Sequence, residues 1–207
     1  MRLRKRPGAL EVLRERPEIV PQKPENMRGH WTVDEPLHVE LGTGKGLFLA
    51  LMAEKYPSIS FIGMEKMESV LSFAAERMEQ QNNVRLIHGN VADMQDYFAK
   101  GEVNRIYLNF TDPWPKKRHE KRRLTFPAFL NLYKEVLSPR GDIHLKTDNE
   151  DFFTYSLEQF SGSGYCLKNL TLDLHAHEPE ENVRTEYEQK FAERQQRIFR
   201  AEAYLPE

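Results

Sequence analysis

From Leu37 onward, short apolar runs alternate with segments whose apolar residues recur at helical spacing, and this alternation restricts the chain more than any other feature. Leu37–Leu41, Ser60–Met64, Val84–His88, Arg105–Asn109 and Ile143–Lys146 read as strands. Between them, Leu47, Phe48, Leu51 and Met52 fall on one helix face, and Val70, Leu71, Ala74, Ala75 and Met78 on the next. A short helical piece is expected near Met94–Phe98. Phe129, Leu130, Tyr133, Val136 and Leu137 form a further helical stripe, and Phe152–Phe160 reads as a helix. Such alternation predicts an α/β fold with a mostly parallel sheet and helices on both faces. Tyr165–Leu172 and Ile198–Tyr204 read as two more strands, with a polar segment and a short helix between them.

In a sheet of this kind, ligands lie outside the carboxyl ends of the strands. Here those ends carry Glu40, Glu65, Asn90 with Asp93, Asp112 and Asp148. One strand-end acid is ordinary; five such ends in succession point to an acidic, hydrogen-bond-accepting cleft. The turn after the first strand, Val39-Glu-Leu-Gly-Thr-Gly-Lys-Gly46, supplies Gly42 and Gly44 for a tight bend and a close approach to a ligand. It is not a dinucleotide fingerprint, because the third glycine would fall at Leu47. Nor is it a P-loop, since Lys45 is followed by Gly46. Glu40 would repel a pyrophosphate and attract an ammonium or sulfonium group, which suits S-adenosylmethionine. Glu65 is placed to accept from both ribose hydroxyls, and Asn90 and Asp93 from an adenine amino group. Individually, each acid also reads as a solvated strand end.

The fourth strand leads into Asn109-Phe-Thr-Asp-Pro-Trp-Pro, then into Lys116–Arg123, with six cations and one anion in eight residues. Prolines fix the exit and deny it a helix, so Asn109 and Asp112 are expected to face a planar base while the cations face phosphates. Net charge is −2 with 30% charged residues, so affinity for nucleic acid must come from local clusters. The other cluster is Arg2, Arg4, Lys5 and Arg6. It opens residues 1–35, a proline-rich stretch read as a basic, loosely held arm before a single domain over 36–207. The lone Cys166 allows no internal disulfide and is expected to be a packed thiol. No apolar run suits a signal peptide or a membrane span, and the acids following the basic start argue against a transit peptide, so a cytoplasmic location is expected.

With both segments in view, the chain resembles the bacterial tRNA (guanine-N7)-methyltransferase family over almost its whole length. The segments that carry the resemblance are Val39–Gly46, Phe61-Ile-Gly-Met-Glu65, Tyr107-Leu-Asn-Phe-Thr-Asp-Pro-Trp-Pro-Lys116, Arg118-His-Glu-Lys-Arg-Arg123, Leu145-Lys-Thr-Asp148 and Thr185-Glu-Tyr-Glu188. The resemblance implies a class I methyltransferase fold of the Rossmann-like type, with a seven-stranded sheet whose last strand is antiparallel. It implies methyl transfer from S-adenosylmethionine to N7 of a guanosine in the tRNA variable loop (position 46 by tRNA convention). It places Glu40, Glu65, Asn90 and Asp112 at the cofactor, beside Gly42, Gly44 and Asp93 from the reading of the turn and strand ends, and the acidic character of Asp112 makes it the expected catalytic group. Lys116, Asp148, Thr185, Glu186, Tyr187 and Glu188 would contact the substrate, and Arg118, His119, Glu120, Lys121, Arg122 and Arg123 would run along the RNA. Asn90 departs from the aspartate many relatives have, though an amide oxygen still accepts.

Other readings stand beside these. Thr185-x-x-Glu188 is also a capping box at a helix start. Trp114 and Tyr187 are either stacking faces or ordinary packing. His175-Ala-His177 beside Glu178 offers too few ligands for a metal site, and no metal is expected. Methylation of an exocyclic amino group, or a non-catalytic RNA-binding module, are the competing functions, and both monomer and homodimer are compatible with the sequence.

Overall fold

The computed structural model describes residues 5–192, 194 and 196–206. One seven-stranded sheet has the order β3-β2-β1-β4-β5-β7-β6. Its strands are β1 (Leu37–Leu41), β2 (Ser60–Glu65), β3 (Val84–His88), β4 (Val103–Asn109), β5 (Leu137–Thr147), β6 (Cys166–Thr171) and β7 (Phe199–Tyr204). The first five pair in parallel, while β7 runs antiparallel to both β5 and β6. The helices are α1 (Ala9–Arg14), α2 (Leu47–Lys55), α3 (Glu68–Arg77), α4 (Met94–Tyr97), α5 (Pro127–Val136), α6 (Glu150–Gly162) and α7 (Glu186–Ala192).

Successive strand side chains point to opposite faces, and the core divides accordingly. Val39, Leu41, Ile62, Met64, Ile106 and Leu108 pack with residues of α4, α5 and α6. Phe61, Leu86 and Tyr107 pack on the other face with α1, α2 and α3. All five residues of β1 are buried, as a central parallel strand requires. The order also places β1 beside β4, with Glu40 opposite Tyr107, so two motif-bearing strands end side by side.

Three expectations need correction. Leu137 does not extend the helical stripe of α5; it opens β5, where it pairs with Val103, making that strand longer than its apolar run. Cys166 is exposed on the edge strand β6, because the apolar residues around it alternate about an outer strand rather than fill a core. The N-terminal arm, where described, is not loosely held. Leu13, Ile19 and Val20 are buried against α2 and α3, and Leu86 N donates to Ile19 O at 2.7 Å. Arg6 grips Glu76 through two hydrogen bonds, and its guanidinium lies 4.4 Å from the centre of the Phe73 ring. Three apolar side chains spread among charges and prolines show no period, yet they close one end of a core. Residues 1–4, which include Arg2 and Arg4, lie outside the described residues.

Leu13→Ala is expected to lower the unfolding free energy by about 2–4 kcal/mol, the usual loss for emptying a buried leucine site. A urea midpoint indistinguishable from the parent's would show that the arm contributes nothing to the fold.

Candidate active site

The site begins where β1 stops. Gly42 N and Thr43 N both donate to Met64 O, at 2.9 and 3.1 Å, which folds the turn back over the end of β2. Gly42 and Gly44 have φ of 78° and 60°, a region that side chains with a Cβ rarely adopt. A Cβ at either would meet nothing within 4 Å, so these glycines border open space, the room a ligand needs. Gly46 has φ 74° and no such room: a Cβ there would lie 3.0 Å from Ala74 Cβ and 3.3 Å from Ala74 Cα.

Beneath this turn Glu40 is only 3% exposed. Its Oε2 accepts from Thr43 Oγ1 at 2.6 Å and its Oε1 from Asn109 Nδ2 at 2.9 Å. Burial pushes the Glu40 carboxyl up to about 7, against the opposing pull of those hydrogen bonds and of the Lys146 cation. Asn109 therefore clamps β4 to β1 instead of facing a base as its position suggested. Its Oδ1 is buried without a partner, as is Thr111 Oγ1 two residues on. Unpaired buried acceptors and hydroxyls are costly, and here two of them sit at a strand end beside the open glycine turn. With Glu40 they fit a polar, cationic group, and S-adenosylmethionine is such a group. Among the other acids, Glu65 is half-buried at the end of β2 and accepts from Met67 N at 3.0 Å. Asn90 and Asp93 are exposed after β3, where Asn90 Oδ1 accepts from Ala92 N.

Asp112 is exposed three residues beyond Asn109, between Phe110 (φ 50°) and Trp114 (φ 42°). Residues this bulky pay a conformational cost in that region, and strain of this kind collects at functional loops. Arg123 holds the loop: its guanidinium donates to Pro113 O and Trp114 O and lies 4.2 Å from the centre of the Tyr155 ring. Arg123 is thus tied to the loop backbone and half-buried. His119, half-buried, packs edge-on against Trp114, with Arg122 on the same indole. Lys116, Lys117, Arg118, Lys121 and Arg122 are exposed, most of them on a 3-10 turn spanning Lys117–Arg122, with Glu120 half-buried among them.

The last motif folds as the capping box. Glu188 N donates to Thr185 Oγ1 at 3.0 Å, and Thr185 N to Glu188 Oε2 at 3.4 Å. Glu188 is fully buried and Thr185 nearly so, because both cap the start of α7 from within. Tyr187 is 61% exposed, its ring stacked 6.2 Å from that of Phe110, while Glu186 pairs with Lys190. Asp148 is half-buried at the end of β5, accepting from Gln196 at 3.4 Å. The structure therefore gathers Glu40, Asp112, Asp148 and Tyr187 at one end of the sheet but withdraws Glu188 and Arg123 into the framework. Sequence reasoning passed over Phe110, Phe191 and Lys146. Lys146, a cation in a buried strand, was the readable sign. Among the described residues, His175, Glu178 and Glu188 come close enough to share an ion, but Lys146, Arg184 and Asn182 already engage their carboxylates.

Fold and site together define an S-adenosylmethionine-dependent methyltransferase of class I architecture. A family model described as "Putative methyltransferase" matches residues 34–201. The chain is 50% identical to the tRNA (guanine-N(7)-)-methyltransferase of Halalkalibacterium halodurans, covering 98% of this chain and 95% of that one. It is also 50% identical to the enzyme of the same name from Geobacillus kaustophilus (100% and 98% covered) and 49% to that of Streptococcus mutans (98% and 99%). The chain belongs to the tRNA (guanine-N7)-methyltransferase family. Among solved structures, an antibiotic-related methyltransferase matches at TM-score 0.63 and 16% identity, covering 83% of this chain and 88% of that one. A SAM-dependent methyltransferase from Aquifex aeolicus matches at TM-score 0.57 and 13% identity, covering 94% and 97%. At such identities these structures establish the fold alone. No described helix is long and apolar enough to cross a membrane.

Glu40→Gln should stabilise the ligand-free protein at pH 8 and leave it little changed near pH 4. A carboxyl raised from 4.5 to about 7 destabilises the fold as pH climbs through that window, at roughly 3 kcal/mol when fully ionised. Thermal melts of both proteins across that range measure it; parallel curves would contradict it.

Proposed function

We propose that the protein transfers a methyl group from S-adenosylmethionine to N7 of a guanosine in the variable loop of tRNA, at position 46, in the cytoplasm. The observation that carries this reading is the junction of β1 and β4. There a buried carboxylate under a glycine turn is hydrogen-bonded to Asn109, and an exposed aspartate and a basic turn follow directly in the chain. S-adenosylmethionine supplies the methyl group when bound and leaves as S-adenosylhomocysteine.

In this reading Glu40 faces the cationic part of the cofactor, Gly42 and Gly44 give it room, and Glu65 accepts from its ribose. Asn90 and Asp93 accept from its adenine. Guanine N7 is a bare lone pair in the base plane, so no residue has to remove a proton before attack. The ring gains positive charge as the bond forms. Asp112, exposed at the exit of β4, stabilises that charge and accepts from guanine N1–H and the 2-amino group, a pair of donors adenine lacks. Asp148 and Lys116 orient the base, and Tyr187 offers the open face of its ring for stacking. Arg118, Lys121 and Arg122 neutralise phosphates along the RNA, which makes binding sequence-tolerant and salt-dependent. Most of the rate comes from holding methyl and N7 in line.

Three outcomes test the reading. Asp112→Asn is expected to lower turnover on tRNA by about a hundredfold; near-normal turnover would remove Asp112 from catalysis. Mass spectrometry of the methylated tRNA should find 7-methylguanosine at position 46, whereas an exocyclic methyl would point to the other class of base methyltransferase. Reversing the charge of Lys121 and Arg122 should weaken tRNA binding by about tenfold or more at moderate salt and leave cofactor binding as it was. Equal loss of both would make the turn a structural element.

A further inference from the structure

Lys146 sits in β5 between two buried neighbours, with its side chain 9% exposed. Its ammonium donates to Glu188 Oε2 and to Val183 O, each at 3.0 Å, and to Asn182 Oδ1. Glu188 in turn accepts from Asn182 Nδ2 at 2.8 Å and caps Thr185. Residues 182–188 thus converge on one ammonium group. The backbone of Lys146 reaches the other motif: its carbonyl accepts from Phe110 N at 2.9 Å, the residue that opens the strand exit leading to Asp112. On the far side, the Phe110 ring stacks on both Tyr187 and Phe191 of α7.

Stability alone does not account for such a pair. Removing two charges from water costs as much as their attraction returns, and well-packed apolar residues often do as well or better. What the pair supplies is geometry. A helix as short as α7 has too few internal hydrogen bonds to hold itself in place. It therefore takes its position from what it is tied to.

We infer that Lys146 is a positioning residue for methylation of tRNA. Through Glu188 it seats the Thr185–Glu188 motif against the exit of β4, so that Tyr187 and Asp112 address the same base. This rests on the function proposed above, and it assigns Glu188 an indirect part, through Lys146, in place of contact with the substrate.

The test compares the parent with Lys146→Met and with the double variant Lys146→Met/Glu188→Leu. The single variant should melt earlier, because Glu188 stays buried with its hydrogen bonds from Thr185, Asn182 and His175 but loses its lysine. The double variant should melt above the single one, though below the parent because Thr185 N and Asn182 Nδ2 lose their acceptor, and it should bind tRNA about tenfold more weakly than the parent, with a matching rise in tRNA KM. Its S-adenosylmethionine affinity, measured near pH 9 (about two units above the point at which Glu40 ionises), should stay within about twofold of the parent's. A double variant with parental tRNA affinity would overturn the inference. So would one that melts no higher than the single variant, since the pair would then be a prop of the fold. Equal losses of cofactor and tRNA affinity would overturn it too, by assigning Lys146 to Glu40. Direct tRNA binding keeps this separate from the proposed reaction: a parent that makes no 7-methylguanosine defeats that reaction, while the binding comparison still reads the role of Lys146.

Discussion

The structure turns on a carboxylate held out of water where two central strands end. Glu40 has a hydroxyl and an amide donating to it, which covers only part of what water would provide, so its ionised form remains unfavourable. A cationic ligand relieves that imbalance and a neutral or anionic one does not. The same interaction fixes the site mechanically, because the Asn109 amide that partners Glu40 belongs to the strand leading to Asp112. One side-chain hydrogen bond between neighbouring strands thus ties the buried carboxylate to the loop that carries Asp112.

A second tier is built on the first. The strand exit carries three unusual features together: positive φ at Phe110 and Trp114, and an arginine bonded to two carbonyls of its own loop. Such a loop is held by its surroundings more than by its own preference. Phe110 is locked between the β5 backbone and the aromatic face of α7, and Lys146 closes the connection from inside. Exposed cations are left on the outer side of the turn.

How much of this was legible in advance depended on the kind of signal. Apolar period is local, so the strands and the principal helices could be read, while the antiparallel ending followed only from the family resemblance; boundaries slipped where a run merged into its neighbour, as at Leu137. Strand-end acids were legible because parallel topology sends all such ends to one edge. The arm was misread because Leu13, Ile19 and Val20 keep no period; their burial depends on a groove made by α2 and α3. Glu188 and Asn109 were read from their charge or polarity and their motif, and both proved to be buried. Nothing in a string of residues says which of several adjacent charges meets solvent.

The sequence by itself determined the class of fold, the edge at which a ligand must sit, and the chemical types gathered there, because these follow from periodicity and from the direction of parallel strands. Tertiary structure alone decided which side chains act and which support. That choice is made by burial and by partners distant in the chain, as when Lys146 meets Glu188 or Asn109 meets Glu40. Such meetings depend on the packing of whole layers, a quantity no local pattern encodes.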